Sequence, residues 1–198
     1  LEKTNEPYAV AKIAGIKLCT ALKNQYGFDA ISLMPTNLYG PGDNYHSINS
    51  HVLPALIHKF YKAKINNESE VVCWGSGEPK REFLYVEDLA DASIFFLENI
   101  SSKNSLIFNK NFKSDTIVNV GTGIDISIKD LVRLISSEIK YQGSIRWDLS
   151  KPDGTPRKLL DISKASKLGW EAKTTLEKGI KLTIKHYKKE LLEKKIRF

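Results

Sequence analysis

Phe28-Asp29-Ala30-Ile31-Ser32-Leu33-Met34-Pro35-Thr36-Asn37-Leu38-Tyr39-Gly40-Pro41-Gly42-Asp43-Asn44 decides the fold class. Its first part, Phe28 to Met34, is a β-rich apolar run ending at Pro35, as expected of a strand in a buried sheet. Its second part, Thr36 to Asn44, is a turn-rich loop leaving that strand. Upstream, residues 8–26 carry Ala9, Ile13, Ile16, Leu18 and Leu22 at helical spacing, with Gly27 as the stop. Downstream, residues 51–64 read as a second helix, with Pro54 tolerated in its first turn. The alternation then continues. Val71 to Trp74 is a strand closed by Gly75-Ser76-Gly77, Phe83 to Val86 is extended, and Glu87 to Asn99 is helical with Asp88 near its start. Residues 100–115 read as a polar surface loop. Thr116 to Val120 is a strand, Ser127 caps a helix to Ile139, Ser144 to Asp148 is extended, Lys151 to Lys158 is a Pro/Gly loop, and two short helices close the chain. Strands and helices in this order predict an α/β protein with a mainly parallel sheet.

The 198 residues, 41% hydrophobic and 10% aromatic, are enough for a buried core. No apolar run reaches the roughly 20 residues of a membrane span, and the first residues do not resemble a signal peptide. Cys19 and Cys73 are too few for a disulfide scaffold and lack metal-ligand spacing, so a reducing, cytoplasmic setting and no metal are expected. The net charge of +7 is concentrated near the C-terminus. There Lys181, Lys185, Lys188, Lys189, Lys194, Lys195 and Arg197 accompany Leu182, Ile184, Leu191 and Leu192, the pattern of an amphipathic helix with a solvated basic face. No nucleic-acid-binding motif accompanies it, and no nucleic-acid partner is expected.

Tyr8 and Lys12 lie one helical turn apart, which puts a phenol and an ammonium on one face. Lowering a phenol from about 10 to 7 requires roughly 4 kcal/mol of phenolate stabilisation. An ammonium about 4 Å away at an effective dielectric near 20 supplies about that much. The pair can transfer a proton; the same spacing also suits a solvated helix face. Gly121-Thr122-Gly123 follows a strand but lacks the third glycine and the acidic residue of a dinucleotide fingerprint, and reads as a tight turn.

Tyr8-x-x-x-Lys12, the strand and loop through Pro41, and Arg81-Glu82-Phe83-Leu84-Tyr85-Val86-Glu87-Asp88 resemble the extended short-chain dehydrogenase/reductases. Asn49-Ser50-His51-Val52, Val72 to Gly77 and Lys151 to Lys158 are similar to the members that epimerise and reduce a GDP-linked 4-keto-6-deoxy sugar with NADPH. The resemblance covers almost the whole chain but only the C-terminal three-fifths of the family. It implies a partial Rossmann-like parallel sheet plus a smaller C-terminal α/β substrate-binding domain. Residues 1–50 would be the end of the dinucleotide-binding part and 51–198 mainly the sugar-nucleotide part, with the strand near 116–120 returning to the main sheet.

The resemblance further implies a role for each matching residue. Tyr8 would protonate the C4 oxygen as hydride arrives, Lys12 would tune it and hold the nicotinamide ribose, and His51 would serve epimerisation at C3 and C5. Pro35, Thr36, Asn37, Leu38, Lys12 and His51 would contact NADP(H). Lys59, Trp74, Arg81 and Asp153 would hold the GDP-sugar. A homodimer through the catalytic-helix region is implied, with Ile13, Ile16 and Leu22 as contacts. The glycine-rich loop, the partner Ser and the epimerisation Cys of the family match nothing here, so the chain alone is expected to be inactive and poorly soluble. On the residues alone, His51 also suits a helix cap, Trp74 a core position, Arg81-Glu82 an internal ion pair and Asp153 a loop brace. Two other functions stay open: another sugar-nucleotide epimerase or dehydratase, or a non-catalytic nucleotide-sugar binding module.

Overall fold

The computed structural model describes residues 1, 3–46, 49–101 and 116–197. The chain divides into two compact units. The first comprises Leu1–Pro35, Ala90–Val120 and Asp161–Glu171; the second comprises Thr36–Leu89, Gly121–Leu160 and Ala172–Phe198.

In the first unit, helix α1 runs Glu6–Tyr26, with Pro7 in its first turn and Gly27 as its C-cap. Strand β1 is Ser32–Pro35, shorter than the Phe28–Met34 run predicts. It pairs in parallel with β5, Ile117–Val120, in the register Leu33 with Val118 and Pro35 with Val120. The apolar stripe of α1 is not covered by the rest of the chain. No residue of α1 is buried, and Val10, Ile13 and Leu18 are exposed. The small core of this unit lies elsewhere: Val118, Val120, Phe96 and Trp170 are buried, and the Trp170 indole N–H donates to Asp91 at 3.3 Å. Phe96 and Asp91 come from helix α3, Val86–Asn99. Trp170 follows the short helix α5, Ser163–Lys167. The predicted surface loop lies mostly outside the described residues.

The second unit holds the main core. Strand β4, Lys80–Tyr85, is its axis. Its C-terminal half pairs in parallel with β2, Asn37–Tyr39, in a segment that the sequence presents as pure loop. Its N-terminal half pairs antiparallel with β6, Asp125–Ser127, and parallel with β8, Arg157–Lys158, so the Pro/Gly loop also yields a strand. A separate parallel pair joins β3, Glu70–Trp74, to β7, Ser144–Asp148. Helix α2 is Val52–Ile65 and α4 is Ile128–Ile139. The Ser127 hydroxyl accepts from the Asp130 amide, as its position before an apolar run predicts. The last helix, α6, spans Leu176–Leu192 and is long rather than short. It buries Ile180, Thr183, Ile184 and Tyr187, whereas Leu192, expected on the apolar side, is 85% exposed. Phe60, Ile57, Tyr39, Ile135 and Tyr187 pack in one continuous cluster.

Glu82 has no solvent exposure at all. Its Oε1 accepts from the Thr122 amide at 2.7 Å and the Gly123 amide at 2.8 Å, and its Oε2 accepts from the Leu160 amide at 2.9 Å. Its backbone carbonyl accepts from Thr36 Oγ1 and Asn37 Nδ2. The Gly121-Thr122-Gly123 turn is therefore a cradle for a carboxylate of this chain, and a Cβ at Gly121 would strike that carboxylate. The alternative of an internal Arg81–Glu82 ion pair is not what the described residues form. Arg81 instead donates to the carbonyls of Lys80 and Thr155. Replacing Glu82 by Gln turns an amide NH2 toward backbone donors. A loss of about 1–3 kcal/mol is expected, read as a lower midpoint in urea unfolding. An unchanged midpoint would remove Glu82 as the organising contact.

Candidate active site

In the first unit, α1 presents Tyr8 and Lys12 on one face. The Lys12 ammonium sits 5.2 Å from the centroid of the Tyr8 ring, a cation–π contact. Tyr8 is 60% exposed, so both groups are open to a ligand. Pro35 ends β1 in this unit.

In the second unit, Thr36, Asn37 and Leu38 follow Pro35 directly in the chain, and Asn37 and Leu38 belong to β2. The Thr36 and Asn37 side chains are turned onto the Glu82 carbonyl, at 3.2 and 2.8 Å. Thr36 and Asn37 thus spend their side chains on the scaffold, and what they offer a ligand is backbone. His51 is the N-cap residue of α2 by conformation, but its side chain makes no capping hydrogen bond and is exposed. The cap alternative therefore does not account for the imidazole.

A cleft of about 500 Å³ opens between α2 and the β3–β7 pair. Val52, Ala55, Lys59 and Lys62 line it from one face of α2, whereas Leu53, Ile57 and Phe60 point to the core. Cys73, Trp74 and Trp147 come from the strands. Trp74 is 62% exposed and is not a core residue. The Lys59 ammonium lies 5.8 Å and the Lys151 ammonium 5.6 Å from its ring. Lys59 also donates to the Val72 carbonyl at 2.8 Å. Cys73 is buried, and burial pushes its thiol pKa up despite Lys59 nearby, so it is a packing group rather than a thiolate. Asp153 braces its loop: its carboxylate accepts from the Ser76 amide at 2.9 Å and the Ser76 hydroxyl at 2.6 Å. Arg81, on β4, secures the same loop through the Thr155 carbonyl at 2.6 Å. A groove with an exposed aromatic floor and a basic rim suits an anionic aromatic ligand. No group of residues with metal-ligand geometry occurs among the described residues. No helix among them is long and apolar enough to cross a membrane.

Sequence reasoning missed His58, Lys62, Trp147 and Lys151. The first two were legible in outline, since Ala55, His58, Lys59 and Lys62 share one face at helical spacing. Lys151 depends on a tertiary fold-back that spacing does not encode. His58 also lines the cleft, and its Nδ1 lies 2.8 Å from the Tyr187 hydroxyl. Burial pushes Tyr187 up to about 12, so its hydroxyl stays protonated and can donate to a neutral imidazole. Burial first, and then the Lys62 ammonium, holds the His58 pKa below its ordinary value.

Comparison with known proteins bears on this arrangement. The NAD dependent epimerase/dehydratase family matches residues 1–125. A probable GDP-L-fucose synthase 1 of Oryza sativa subsp. japonica is 53% identical over 98% of this chain, which spans 56% of that protein. Among solved structures, a GDP-6-OMe-4-keto-L-xylo-heptose reductase of C. jejuni aligns with a TM-score of 0.87 at 33% identity, covering 96% of this chain and 62% of the other. A GDP-L-fucose synthetase of Naegleria fowleri bound to NADP aligns with a TM-score of 0.71 at 30% identity, covering 85% of this chain and 49% of the other. The chain thus spans little more than half the length of the curated relatives it matches.

The depressed His58 pKa gives a sign. Below about 6.5 the unfolded chain takes up a proton that folded His58 resists, so its stabilising contribution is complete above that value and is lost as the pH falls through the lowered one. The drop in melting temperature between pH 7.5 and 5.5 is expected to be smaller in His58→Asn than in the wild type. Equal drops would show that His58 titrates as it does in the unfolded chain.

Proposed function

The chain belongs to the NAD dependent epimerase/dehydratase family, and from that premise we propose that it supplies the C-terminal part of a GDP-L-fucose synthase. The reaction proposed is NADPH-dependent conversion of GDP-4-keto-6-deoxy-D-mannose to GDP-L-fucose. The observation that carries this reading is the cleft of the second unit. Its exposed Trp74 under two ammonium groups is an aromatic, positively charged seat for a nucleoside diphosphate. The 53% identity to the rice relative supports the GDP-sugar as the substrate.

Lys59 and Arg81 are the proposed diphosphate ligands, with Trp74 packing on base or sugar and Asp153 holding the loop. Tyr8 and Lys12 fit NADP(H) by their donor set, an exposed phenol and an ammonium one turn apart. The backbone of Pro35, Thr36, Asn37 and Leu38 is proposed as the wall beside the nicotinamide. When bound, NADPH supplies the hydride delivered to C4. Tyr8 then gives its proton to the C4 oxygen, turning it into a hydroxyl, and Lys12 stabilises the phenolate left behind. Before reduction, His51 removes the C3 and C5 protons, which the neighbouring ketone makes acidic enough for an imidazole near neutral pH. Each inversion is completed by a proton returned to the same carbon on the opposite face, from a second acid that neither Cys19 nor buried Cys73 matches. Exposed Val10, Ile13 and Leu18 on α1 support pairing of two copies through that helix. A cytoplasmic setting fits the substrate and cofactor.

In the full-length protein, Tyr8→Phe is expected to lower turnover of GDP-4-keto-6-deoxy-D-mannose by about 10²- to 10⁴-fold while leaving GDP affinity within twofold. His51→Gln is expected to suppress deuterium incorporation at C3 and C5 in D₂O. Turnover of UDP-linked sugars instead would move the chain to a sister enzyme, and GDP-sugar binding without NADPH oxidation would make it a binding module.

A further inference from the structure

Lys151 opens the Lys151–Lys158 segment but has no assigned role of its own there, and it is one of the two cations over Trp74. Its ammonium sits 5.6 Å from the Trp74 ring, beside that of Lys59 at 5.8 Å. The backbone around it is fixed from both sides. The Asp148 carbonyl accepts from both the Lys151 amide, at 3.2 Å, and the Gly75 amide, at 3.0 Å, which ties the loop to the turn that follows Trp74. Two residues on, Asp153 is clamped by Ser76, and a Cβ at Gly75 would collide with that carboxylate. The loop is thus held on the β3 turn while the side chain of Lys151 remains exposed. Among the described residues neither ammonium has a carboxylate within 4.0 Å; the Asp148 carboxylate feels the Lys151 charge at longer range, and Glu68 lines the cleft wall.

A cation over an exposed indole gains little, whereas a charge-assisted hydrogen bond to a phosphate is markedly stronger. Lysine's flexible stem permits the exchange. We propose that Lys151 is a substrate-specificity residue: with Lys59 it rests on Trp74 in the free protein and moves to the phosphates when a nucleotide takes the indole face. Affinity for the ligand then counts its phosphate charge. This rests on the reading of the cleft as a nucleoside-diphosphate-sugar site.

The test is calorimetric titration of the full-length protein, as wild type, Lys151→Gln and Lys151→Arg, with guanosine, GMP and GDP at low and moderate salt. Lys151→Gln is expected to weaken GDP about tenfold, GMP less and guanosine by no more than about twofold, with a shallower salt dependence. Lys151→Arg is expected to recover most of the GDP affinity. Equal weakening of guanosine and GDP would overturn the proposal by showing that Lys151 acts through packing alone. Unchanged GDP binding in Lys151→Gln would overturn it while leaving the cleft reading intact. Failure of GDP to bind the wild type would remove both.

Discussion

The buried carboxylate of Glu82 is the contact on which the second unit depends. It is fully enclosed, and its charge is answered by three backbone amides rather than by a basic side chain. Taking a carboxylate out of water is costly unless its oxygens are filled, and here donors from three points of the chain fill them. Two come from the turn after β5, and the third is Leu160, just after β8. Through its carbonyl the same residue holds Thr36 and Asn37 at the start of β2. One residue of β4 thereby registers segments separated by more than a hundred positions.

That register determines what surrounds the ligand cleft. β4 carries Arg81 next to Glu82, and β8 pairing sets the course of the preceding loop, where Arg81 takes the Thr155 carbonyl and Asp153 takes Ser76. Trp74 and the cations near it are thus displayed by a rigid frame, whereas their own side chains stay exposed. The division suits recognition: positions are set by buried backbone bonds, and the exposed groups remain free to exchange partners. The residues proposed for the chemistry fall in both units. Tyr8 and Lys12 belong to the first, and His51, Lys59, Trp74 and Arg81 to the second.

The helices and most strands were legible in the sequence because their signals are local. Ser127 before an apolar run gave a cap, and Gly27 gave a stop. β2 and β8 were not legible, since each is a few residues of loop-like composition made into a strand by pairing with β4. The apolar stripe of α1 was legible from its helical spacing, but spacing does not say what covers a face, and none of its described residues is buried within this chain. Among the site residues, Trp74 and Lys59 emerge together in one cleft. Asp153 turns out to be held by Ser76, which is the brace its Pro-Asp-Gly-Thr context allows. The Gly121 turn is legible as a turn but its purpose is not, because the carboxylate it cradles lies some forty residues upstream.

A crystal structure of the full-length protein with GDP and NADPH bound would show directly where each ligand sits. The diphosphate is expected within hydrogen-bonding distance of Lys59 and Arg81, the nucleotide packed on Trp74, and the Tyr8 hydroxyl beside the nicotinamide. GDP bound away from the α2–β3 cleft, with Trp74 still open to solvent, would contradict this placement.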